Sequence, residues 1–134
     1  MTKTKGLRHF YISDPVFKTK TLFVIGGKES DFKALMESKF NVDYQARVED
    51  EFNVGTVLSL DAKPYRVLWT SHLPVTATAI GQLAHEVAHL VFDICEDRGI
   101  SASAHMLDHS RGDEPFAYLS EYYLVEALNK ARAR

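Results

Sequence analysis

Residues 85–89 read His-Glu-Val-Ala-His, inside a stretch where Leu83, Val87, Leu90, Val91 and Ile94 recur at helical spacing. That recurrence predicts a helix from Thr76 to about Asp97 with the apolar stripe as its core face. Gly99 is placed to stop it. Residues advance ~100° each on a helix, so His85 and His89 lie ~40° apart around the axis and about one turn apart along it. Two imidazoles so placed can occupy two corners of the tetrahedron that Zn²⁺ prefers. Glu86 points to the side, where it can reach a water on the ion and take its proton. Gly81 inside this helix costs ~1 kcal/mol against alanine, which a close packing contact would explain.

The first half of the chain has a different pattern. Arg8 to Ser13 is a candidate short strand, closed by the turn signal Asp14-Pro15. Lys20 to Gly26 is rich in β-branched and aromatic residues and ends at Gly26-Gly27, as a buried strand does. Ser30 can cap a helix from Asp31 to about Phe40, with Phe32, Leu35 and Met36 on one face. Val54 to Leu60 and Tyr65 to Thr70 are two further strands, and Asp61-Ala62-Lys63-Pro64 turns between them to make a hairpin. Ser101 to Gly112 is a polar loop holding His105, His109 and Arg111. Asp113 then caps a last helix that runs through Phe116, Leu119, Tyr123 and Leu124 to a basic end at Lys130 to Arg134. Strands first and long helices last is an α+β order, here a small, mainly antiparallel N-terminal sheet followed by two helices.

At 134 residues the chain suits one domain over 1–134, with residues 1–7 polar and loose. Sixteen Lys and Arg against eighteen Asp and Glu give a net charge of −2, which argues against a general nucleic-acid binder and leaves room for a local basic patch. Cys95 is the single cysteine, so no internal disulfide is possible, and it is expected to pack as a small apolar residue. Met1 to Gly6 is basic without a following apolar run of signal length, and no stretch approaches a membrane span. The expectation is a cytoplasmic protein whose partner is a protein or peptide substrate, with no nucleic acid and no membrane.

Two histidines do not complete a catalytic zinc site, which uses three protein ligands and leaves a position for water. A third histidine six residues after the second is ruled out, because Cys95 stands there and Phe92 stands where that pattern needs glycine. His105 and His109 could reach the ion, or could donate to a transition-state oxyanion. Glu114 and Glu121 lie on the last helix, seven residues apart and therefore on one face, so helix geometry does not choose between them. Glu121 and Asp93 are each open to a second role, as a surface charge or as an acceptor for a ligand imidazole. Tyr118, Tyr122 and Tyr123 suit packing, and Tyr118 also suits an oxyanion donor.

His-Glu-Val-Ala-His together with Asp113-Glu114-Pro115-Phe116-Ala117-Tyr118-Leu119 resembles the small zincin-like proteins encoded in bacteriophages and prophages, and more remotely gluzincin-type minimal domains. The resemblance covers residues 80 to about 125. It implies a zincin-like minimal domain in which a helix with an E-x-x-A core supplies the third ligand. Glu114 with Ala117 matches that core, 114 − 89 = 25 residues after the second histidine. The implied site is one Zn²⁺ per chain on His85, His89 and Glu114, with Glu86 as general base. The implied activity is a zinc-dependent hydrolase, a peptidase in the host cytoplasm. The rival class is a non-catalytic phage assembly or host-interaction protein that keeps the fold and a structural metal. By analogy with zincins, the Tyr65–Thr70 strand is expected to be the sheet edge that lines the cleft and holds an extended substrate.

Overall fold

A computed structural model describes residues 7–41, 54–99 and 113–132. Their elements run β1 (Arg8–Ser13), β2 (Lys20–Ile25), α1 (Glu29–Lys39), β3 (Gly55–Ser59), β4 (Arg66–Thr70), α2 (Ala77–Asp97) and α3 (Asp113–Arg132). The four strands form one sheet in the order β1-β2-β4-β3.

β2 explains the layering. Leu22, Phe23, Val24 and Ile25 are all fully buried, and an unbroken apolar run is what a strand shows when both faces are covered. Leu22 and Val24 join Val67 and Trp69 of β4 on the face packed by Phe32, Leu35 and Met36 of α1. Phe23 and Leu68 point the other way, into Leu83, Val87, Leu90, Val91 and Ile94 of α2. Leu119, Tyr123 and Ala127 of α3 close that second cluster. Trp69 stacks on Phe32 with centroids 5.0 Å apart, and its indole N–H donates to the Gly26 carbonyl at 3.1 Å. The sheet is thus held between α1 and the α2/α3 pair, an α+β arrangement.

The sheet is mainly antiparallel, as expected: β3–β4 is the anticipated hairpin and β1–β2 is also antiparallel, while the two central strands, β2 and β4, run parallel. Parallel neighbours need a crossover, and the chain between β2 and β4 carries α1 on one face of the sheet. α1 also starts earlier than expected. Lys28, not Ser30, is its N-cap, and the Lys28 N–H donates to Asp31 Oδ2 at 2.9 Å.

α2 has the expected extent and stops at Gly99 as expected, and the structure adds its N-terminal cap. Thr76 caps it, with Oγ1 accepting from the Ala79 N–H at 3.1 Å, and Gly99 follows in the left-handed region at φ 77°. Gly81, by contrast, touches nothing: a Cβ built there would have no neighbour within 4 Å, so no packing contact explains it. Behind the sheet, the turn after β1 is organised by the buried Asp14 carboxylate. It accepts from the N–H groups of Val16, Phe17 and Thr19 and from the Tyr123 hydroxyl at 2.8 Å. Burial first, then this bond and the Asp14 charge, push the Tyr123 phenol far above its ordinary range, so it stays a donor that fastens α3 to the turn. Among the described residues no helix is long and apolar enough to cross a membrane.

Candidate metal centre

The core stripe of α2 decides where His85 and His89 go. With Leu83, Val87 and Leu90 buried, both histidines are left exposed on the flank. Their Nε2 atoms stand 3.2 Å apart, and their rings meet edge-on with centroids 4.7 Å apart. Two ligands on a tetrahedral ion with Zn–N bonds of about 2.0–2.1 Å are separated by about 3.3–3.4 Å. The two nitrogens therefore already span nearly the edge of such a tetrahedron, and the pair fits the metal that the sequence implies.

Glu86 lies in the same cleft but deeper. The cleft, of about 450 Å³, runs between Gly55, Thr56, Val57 and Ser59 of β3 on one side and His85, Glu86, His89 and Asp93 of α2 on the other. Glu86 is half-buried, and burial raises its carboxyl pKa above the ordinary value while the two histidine charges pull it partly back. A raised pKa makes a carboxylate a better proton acceptor near neutrality. Its position depends on Gly55. A Cβ at residue 55 would sit 3.0 Å from Glu86 Cγ, from Glu86 Oε2 and from the Trp69 carbonyl oxygen. Glycine is needed there because the carboxylate occupies the space a side chain would take.

Asp93 answers the choice left open by the sequence. Its Oδ2 accepts from Ser59 Oγ at 2.7 Å and from Arg66 Nε at 2.9 Å, while Arg66 Nη2 reaches Asp97 at 3.3 Å. It therefore clasps α2 to β3 and β4 at the end of the cleft. The strand lining the cleft is also different from the expected one. β4 is internal, between β2 and β3, and among the described residues the edge on this side is β3. The reason is the hairpin: β4 is the strand drawn into parallel pairing with β2, which leaves β3 outermost.

The structure places Glu114 in the first turn of α3, while its side chain, like His105 and His109, lies outside the described residues. Phe116, two positions later, packs on Phe92 with centroids 4.5 Å apart. Phe92 is three residues beyond His89, so the start of α3 abuts the helix turn that follows the motif. Glu121 is exposed. Among the described residues no three His, Cys, Asp or Glu side chains converge as a metal group. Tyr118 is 44% exposed beside Tyr122 and is not part of the described cleft lining. Tyr122 instead donates to the Ser13 carbonyl at 3.1 Å, and Cys95 is buried in the core. Gly55, Ser59 and Arg66 were missed in the sequence, and only the glycine at the start of a strand offered any signal.

Compared with known proteins, the chain matches no family model, no curated relative and no solved structure.

Proposed function

We propose that this protein is a zinc-dependent hydrolase acting on peptide bonds, of the small zincin-like kind that its motifs resemble. The observation that carries the reading is the convergence of His85 and His89 Nε2 to 3.2 Å beside a half-buried Glu86 in one cleft. His85, His89 and Glu114 would hold one Zn²⁺, Glu114 entering through its match to the E-x-x-A core and its place in the first turn of α3. When bound, zinc acidifies water toward neutrality and polarises a carbonyl.

The chain's own groups do the rest. Glu86 removes a proton from the attacking water and later delivers it to the leaving amine, both from a position fixed by Gly55. Among the described residues β3 pairs with β4 alone, so its other edge offers backbone groups to an extended peptide lying in the cleft. Asp93, held by Ser59 and Arg66, closes the cleft's end.

The test is metal content. Protein purified without chelator is expected to carry one zinc per chain, or to take it up on titration, and His85→Ala is expected to lose it. Wild-type protein that neither carries zinc nor binds it would sink the proposal. A zinc-loaded protein that cleaves no peptide in a library of mixed sequences would instead favour a structural metal in an interaction protein.

A further inference from the structure

A second hollow, of about 350 Å³, opens at the end of the sheet where β2 and β4 begin. Its lining includes Lys18, Lys20, Lys63, Arg66 and Arg98, and no carboxylate among the described residues. In a chain with a net charge of −2, five cations around one small space is a local excess. The two arginines are occupied: Arg66 by Asp93 and Asp97, and Arg98 by the Phe17 carbonyl at 3.0 Å. The three lysines differ. Lys18 and Lys63 form no ion pair among the described residues, and Lys20 lies 4.5 Å over the Tyr11 ring. All three lysines are exposed, so their ammonium groups are free to turn toward an anion that enters the hollow.

Lys18 is also held in place at a cost. It adopts φ 61°, a left-handed conformation that a residue other than glycine takes only under strain. The buried Asp14 carboxylate fixes the turn on both sides of it, and the Lys18 N–H donates to the Asp14 carbonyl at 3.1 Å. Strain of this kind persists where the surroundings over-determine it. Beside the lysines stand Tyr11 and Tyr65, 41% and 51% exposed, whose rings offer flat apolar surface next to the charge.

We propose that this hollow binds a small phosphate ester carrying a flat ring, the chemistry of a nucleotide. The lysines meet the phosphate, whose two negative charges match unpaired ammonium groups. Tyr65 receives the ring, the Tyr11 face being covered by Lys20. The volume lies at the small end of the range for small-molecule sites, about 300–1,000 Å³. The hollow and the metal cleft share one link, Arg66, which lines the hollow and pairs with Asp93 of the cleft; the lysines and tyrosines of the hollow do not line the cleft.

Calorimetric titration of the His85→Ala protein tests this, since that variant keeps phosphate from being captured by metal on α2. The probes are a nucleoside diphosphate, inorganic pyrophosphate and the unphosphorylated nucleoside. The nucleoside diphosphate is expected to bind saturably, the nucleoside to bind at least tenfold more weakly, and added salt to weaken the phosphate-bearing probes. The double variant Lys18→Glu/Lys63→Glu is expected to lose at least tenfold in affinity with an unchanged unfolding midpoint. Should it fail to fold, Lys63→Gln, at an exposed turn, gives the same reading at smaller size. Tyr65→Ser is expected to weaken the nucleoside diphosphate and leave pyrophosphate unaffected. No saturable binding at millimolar concentration, or binding indifferent to the lysine changes, overturns the proposal. Equal affinity for pyrophosphate and nucleoside diphosphate overturns it in favour of a bare phosphate site. Tight binding confined to single-stranded oligonucleotides, run as a fourth probe, overturns it in favour of a nucleic-acid surface.

Discussion

Gly55 and Glu86 show how much a single contact can decide. The carboxylate lies where a side chain at residue 55 would go, and one of the atoms in the way is the Trp69 backbone oxygen, which cannot swing aside. Gly55→Ala is therefore expected to destabilise the fold by about 1–3 kcal/mol, the usual cost of overpacking, read as a lower denaturant midpoint at unchanged slope. An unchanged midpoint would show that Glu86 moves freely, and would weaken its assignment as a positioned base. Glu86→Gln asks the complementary question. Glutamine keeps the shape and loses the base, so zinc content should hold while hydrolysis falls at least ~10²-fold. Cleavage at the wild-type rate would remove Glu86 from the mechanism. The two residues were not equally legible. Glu86 announces itself between two histidines, whereas the need for glycine at 55 arises from a contact between segments 31 residues apart (86 − 55). The same holds for Asp93, which one helix turn places near the histidines but whose partners Ser59 and Arg66 come from the hairpin.

The elements themselves were the most legible part. α2 was readable in extent because its apolar stripe and the Gly99 stop agree, while the Thr76 cap is visible only in the structure. The helix α1 was displaced by its start because the backbone cap at Lys28 is made through Asp31, a side chain three residues on, and not through the more conventional serine. α3 carries the choice of third ligand. Phe116, two residues after Glu114, packs on Phe92, three residues after His89, so the turn of α3 that carries Glu114 starts beside the turn of α2 that follows the motif, and Glu114 stays the proposed third ligand. Glu114→Ala is expected to lower zinc affinity by at least tenfold, with Glu121→Ala close to wild type; outer-sphere partners typically cost 10–100-fold, so direct ligands should cost no less. A greater loss for Glu121→Ala, measured by competition with a chromogenic chelator, would reverse the assignment.

At the scale of the whole molecule, sequence pattern gave the strands and missed how they are ordered. Both hairpin pairings follow from neighbours in the chain, but the parallel contact between β2 and β4 joins segments separated by α1 and by β3, and period-2 patterning carries no record of which strand lies beside which. That one pairing makes β3 the edge and brings Gly55 to Ser59 against α2, so the cleft is a property of the topology and not of the motif. The proposed site, divided between α2 and α3, would also couple metal to stability, because the unfolded chain does not hold these groups together. Zinc at a hundred times its dissociation constant should add about 2.7 kcal/mol, visible as a rise of several degrees in Tm for a domain of this size. His85→Ala should abolish the rise. Glu86→Gln should keep it in full, since its carboxylate is not a ligand. If Glu86→Gln loses the rise along with His85→Ala, then Glu86 binds the metal, and the division of labour between two histidines and their intervening glutamate is wrong.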